Sequence, residues 1–164
     1  MLLADNAQFT LDHARNAAYD IVLLAHVLSA LVGLGAVVVA GGYALALRRS
    51  GAASEVVRRY YRPGVNWGGR VLFLVPVFGV ALVAMSDGDW SYADGWVTAG
   101  LLLWAIVALG AEMVLWPAER RIQAELEDPT SGTDLRSECG RVTVTAAVVA
   151  VVLVAAAVVM VAKP

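Results

Sequence analysis

Charge is scarce in this chain. Only 16% of its 164 residues are Asp, Glu, Lys or Arg, and 60% are hydrophobic. A water-soluble domain carries more charge than this, which argues against that class from the outset. Cysteine is nearly absent. A single one, Cys139, excludes an internal disulfide and any cysteine-rich metal site. It is expected in a polar loop on the cytoplasmic side, where a thiol stays reduced and has no assigned role. Histidine occurs only as His13 and His26, and no two stand at zinc-helix spacing. There is no Walker loop, no CxxC and no G-x-S-x-G elbow. No basic stripe with interleaved aromatics suggests a nucleic-acid partner. The start, Met1-Leu2-Leu3-Ala4-Asp5, has no basic n-region. The first apolar run is therefore expected to be a retained span rather than a cleaved signal.

What the chain does have is four long apolar runs. Runs of about twenty apolar residues belong in a bilayer. The spans are expected near 21–47, 64–86, 96–116 and 142–162, with connectors at 48–63 and 118–141. The fold class is all-α: an integral membrane four-helix transmembrane bundle forming one domain. A barrel strand needs only about ten alternating residues, and these runs are longer and do not alternate. Before the first span, Phe9, Leu11 and Tyr19 suggest a short helix on the membrane surface. The uncharged part of the second span, Val71–Met85, is too short to cross alone, so the helix must take in Arg70 or thin the bilayer. Pro76 should kink it. Pro117 is expected to close the third span. The fourth, rich in Val and Ala, reads as packing material. Gly33, Gly35, Gly41, Gly42, Gly100 and Gly110 permit close helix contacts in lipid.

Orientation follows from the arginines. Arg48, Arg49, Arg58, Arg59, Arg62, Arg120, Arg121, Arg136 and Arg141 all lie in the two connectors. The positive-inside rule then puts the connectors in the cytoplasm and both termini outside, with the chain in a bacterial cytoplasmic membrane. Tyr60, Tyr61, Trp67 and Trp116 mark one interface, and Tyr19, Trp90, Tyr92 and Trp96 the other.

Polar groups at membrane depth are costly and therefore candidates for function. Arg70 and Glu112 lie at matching depths from the connector side and are expected to form a structural ion pair. Glu112 is also the one acid placed to take part in proton or ion movement. His26, in the outer third of the first span, is a candidate haem or metal ligand, with haem b or copper as the cofactor. A second ligand would have to come from Met85, Met160 or His13. Trp104 and Tyr43 are lesser candidates. Asn66, Trp67, Gly68 and Gly69 offer either an interfacial helix start or a headgroup site.

Three stretches carry a family resemblance. They are Leu24-Ala25-His26-Val27-Leu28-Ser29-Ala30-Leu31-Val32-Gly33-Leu34-Gly35, Val75-Pro76-Val77-Phe78-Gly79-Val80-Ala81-Leu82, and Gly95-Trp96-Val97 with Trp116-Pro117-Ala118-Glu119-Arg120-Arg121. The chain resembles a bacterial family of predicted integral membrane proteins, the domain of unknown function 2269. That family is distantly similar to copper-resistance D-type proteins and to HemJ-type protoporphyrinogen oxidases. Both place a histidine in an early span, at the position of His26. The oxidase type also has a W-x-x-x-K lysine, and Trp96-Val97-Thr98-Ala99-Gly100 has glycine there. The resemblance implies a four-helix frame without the oxidase activity. The leading expectation is a non-enzymatic protein acting through partners, as an accessory subunit, a homo-oligomer or part of a larger membrane complex. The alternatives are a haem- or metal-binding redox protein using His26, and a small transporter working as an oligomer.

Overall fold

The computed structural model describes residues 2–130 and 132–162, with side chains from residue 15 onward. Helix α1 runs Leu2–Ser50 and α2 runs Glu55–Tyr60. Helix α3, Trp67–Arg70, passes through a 3-10 turn at Val71–Phe73 into α4, Leu74–Ala84. Helix α5, Gly95–Gly110, passes through a π turn at Ala111–Leu115 into α6, Trp116–Glu127. Helix α7 is Leu135–Ala162. Four of the resulting rods are long and apolar enough to cross a membrane: Arg15–Ser50, Trp67–Ala84, Gly95–Glu127 and Leu135–Ala162.

Three expectations change. First, the segment before the first span is no separate surface helix. It continues into α1 without a break, giving 49 residues. At about 1.5 Å per residue that is about 70 Å, more than twice a hydrocarbon core. Phe9, Leu11 and His13 lie outside the described side chains. Second, Pro117 does not end the third rod. The π turn absorbs it, with Trp116 N–H reaching back five residues to the Ala111 carbonyl. The proline then occupies the first turn of α6, where its missing donor is harmless. Third, Cys139 is not in a loop but buried inside α7.

The two connectors meet at one end of the bundle. Tyr60 bonds Glu119 across them, and Arg48 packs beside Gly140. At the other end Arg15 of α1 pairs with Asp87 in the 85–94 loop. Asp87 and Gly88 both have positive φ there, 54° and 93°. That turn is held by Ser86, whose hydroxyl donates to the Val83 carbonyl at 2.8 Å and accepts from Trp90 N–H at 3.1 Å.

Helices α1 and α7 form the spine. Val37, Ala40, Ala44 and Leu47 from α1 meet Val142, Ala146 and Val149 from α7 in the core. Small residues decide the approach. A Cβ on Gly41 would stand 2.8 Å from that of Ala146, and one on Gly33 would stand 3.1 Å from Leu72 Cδ1. Gly35 and Gly42 meet nothing within 4 Å, so only some of these glycines serve packing. Outside this core the rods are clad in exposed Val, Leu and Ile, which lipid covers.

Candidate functional site

Pro76 organises the loop end of the second rod. It has no N–H to offer the Leu72 carbonyl four residues earlier. The Trp104 indole donates to that carbonyl instead, at 3.1 Å. One step on, His26 Nδ1 lies 2.9 Å from the Val75 carbonyl oxygen. A carbonyl can only accept, so Nδ1 carries the proton in this contact, and the tautomer that satisfies it has its lone pair on Nε2. Gly79 makes room for the ring, because a Cβ there would stand 3.2 Å from His26 Cε1.

His26 lines a cavity of about 260 Å³. Val75, Pro76 and Gly79 form one wall, Gly100, Trp104 and Met160 another, and Tyr19, Trp90, Tyr92 and Trp96 the mouth. The mouth is braced. Tyr92 donates to the Val80 carbonyl at 3.1 Å, and Trp90 meets Trp96 edge to face at 5.2 Å. The Met160 methyl, the far end of a flexible side chain, occupies the space that a Cβ on Gly100 would take, so a thioether forms this wall.

Haem does not fit this space. Sites that enclose drug-sized ligands run about 300–1,000 Å³, and the cavity is below that range at about 260 Å³. Among the described residues no second imidazole lines it. For copper, His26 and Met160 offer one imidazole and one thioether. Among the described residues no group of three or more His, Cys, Asp or Glu could hold a metal ion. Met85 lines a different, shallower depression with Arg15 and Asp87.

The Arg70–Glu112 pair is not formed. The ion pairs among the described residues are Arg15–Asp87, Arg121–Glu138 and Arg141–Glu138. The Arg70 guanidinium lies over the Trp116 ring, 4.8 Å from its centroid, a cation–π contact. Glu112 sits on the π turn with its side chain exposed, beside Met113, which is 71% exposed.

The polar group that sequence reasoning missed is Glu119, only 5% exposed at the connector end. Tyr60 donates to it at 3.1 Å, and Asn66 donates to the Tyr60 hydroxyl at 3.2 Å while its own Oδ1 caps α3 through Gly69 N–H. Tyr43 stacks on Tyr60 at 4.5 Å. Burial first, and the Glu119 charge second, hold the Tyr60 phenol well above its usual range, so it remains a donor. The same two causes act on Tyr61, whose hydroxyl is buried without a partner among the described residues. A glutamate just after a Trp-Pro pair reads as the start of a solvated helix. Only the other connector, which brings Tyr60 to it, reveals its partner.

These features define a four-helix membrane protein with a histidine-bearing apolar cavity near one end. The family model for predicted integral membrane proteins, the domain of unknown function 2269, matches residues 20–164, and the chain belongs to that family. No curated protein and no solved structure matches it.

Proposed function

We propose that this protein is a non-enzymatic binding protein for a small apolar molecule that carries one hydrogen-bond donor and arrives from the bilayer. The observation that carries this reading is the His26 ring. Its Nδ1–H is committed to the Val75 carbonyl, which leaves Nε2 as an acceptor in a cavity otherwise apolar and aromatic. Such sites fix a ligand by a few polar groups set in apolar walls. With the connectors in the cytoplasm, as the positive-inside rule orients them, the cavity opens toward the outer leaflet.

Calorimetric titration of the purified protein with 4-tert-butylphenol and with tert-butylbenzene tests it. The phenol should bind about ten-fold more tightly, the worth of one hydrogen bond in a dry site. His26→Ala should erase that difference while leaving the hydrocarbon's affinity in place. Equal affinities in the wild type would overturn the reading. So would a Soret band or stoichiometric copper in the gently purified protein.

A second observation favours action through a partner as well. Glu112 lies exposed on a lipid-facing surface with Leu109 and Met113, and a carboxylate facing hydrocarbon calls for a donor from elsewhere. A second copy or another membrane protein covering this face supplies it. Met113→Cys in native membranes should then give an oxidative cross-link, and Glu112→Leu should reduce its yield several-fold. Only uncross-linked monomer would count against a partner at this face.

A further inference from the structure

A groove of about 680 Å³ lies at the connector end, between the last turn of α1 and the first of α7. Arg48, Arg49 and Arg136 line it, together with Leu45, Leu47 and Leu135. It lies far from the His26 cavity and shares no residue with it.

The acids nearby do not neutralise these arginines. Glu138 is buried and accepts from Arg121 at 3.2 Å and from Arg141 at 3.1 Å. Asp134 accepts the backbone N–H groups of Arg136 and Ser137, closing the first turn of α7. Among the described residues no ion pair involves Arg48, Arg49 or Arg136. Three guanidinium groups therefore converge on one groove with their charge unspent. A guanidinium presents a planar fork of donors that matches phosphate oxygens. Leu45 and Leu47 come from the end of the apolar run of α1, and Leu135 opens α7 in the connector beside it.

We propose that this groove holds the headgroup of an anionic phospholipid from the adjoining leaflet. The phosphate sits on Arg48, Arg49 and Arg136, and the first acyl carbons lie along Leu45 and Leu135. Basic pockets between transmembrane helices take such headgroups. A free phosphate would satisfy the arginines but leave the leucine side of the groove unfilled.

The test uses the full chain in nanodiscs of phosphatidylcholine with phosphatidylglycerol, released into detergent and weighed by native mass spectrometry. Phosphatidylglycerol should stay bound in preference to phosphatidylcholine. Arg48→Gln and Arg136→Gln should each weaken its retention about five-fold, the worth of a basic residue at an anionic surface. Arg58→Gln and Arg59→Gln, outside the groove, should leave it unchanged. Equal retention of the two lipids in the wild type would overturn the proposal without need of any variant. Equal losses from the groove and control substitutions would reduce it to general surface charge and sink it. Displacement of the lipid by millimolar inorganic phosphate would reassign the groove to a soluble anion and likewise defeat it. None of these outcomes bears on His26.

Discussion

Gly41→Leu should destabilise the bundle by about 3 kcal/mol, the upper end of what overpacking costs. A Cβ at this position would stand 2.8 Å from Ala146 Cβ, and an alanine methyl has no torsion by which to move aside. Helices α1 and α7 must separate along their whole crossing, which opens the contacts of Ala40, Ala44, Val142 and Val149 together. In lipid, close van der Waals packing is the main force holding such helices, so the loss has no hydrophobic compensation. Unfolding by denaturing detergent measures it. Gly42→Leu is the control, because nothing lies within 4 Å of that position. Equal effects of the two substitutions would show that glycine matters here through backbone freedom and not through the crossing.

Trp104→Phe should cost about 1–3 kcal/mol, the penalty for a carbonyl left without its donor in a dry environment. The ring contact with Phe73, at 6.1 Å between centroids, survives that change, so the missing N–H dominates. Pro76→Ala alone restores an N–H for the Leu72 carbonyl. In that background Trp104→Phe should cost far less, because the indole bond at 3.1 Å is no longer the substitute for a helical one. A double-mutant cycle read by thermal unfolding in detergent gives the coupling directly. Additive effects would show that the indole acts only through packing.

Much of the fold is legible in the sequence because lipid imposes a simple rule: each backbone group must be satisfied within its own helix. Four apolar runs therefore become four rods, and the second takes in Arg70 as its length demands. The site was legible only in part. His26 stands out as a lone imidazole in an apolar run, yet its pairing with Val75 depends on how α1 lies against the proline-bearing helix. Arg70 and Glu112 match in depth, but depth says nothing of azimuth. Glu112 lies exposed on the π turn, and Trp116 takes the guanidinium. Glu119 was illegible for a related reason. Helical spacing sets it on the face of Leu115, Ala118 and Ile122, but the Tyr60 hydroxyl that pairs its carboxylate comes from the other connector, which spacing does not reveal.

The wide turn at Ala111–Leu115 also sets a phase difference within one continuous rod. An α-helix advances about 100° per residue, so one extra residue offsets everything beyond it by nearly a third of a revolution. The bilayer half and the connector half of this helix are thus read in two different frames. Trp116, Ala118, Glu119 and Ile122 are the residues buried beyond that offset. The segment works as a gear between a surface shaped by hydrocarbon and one shaped by the aqueous connectors.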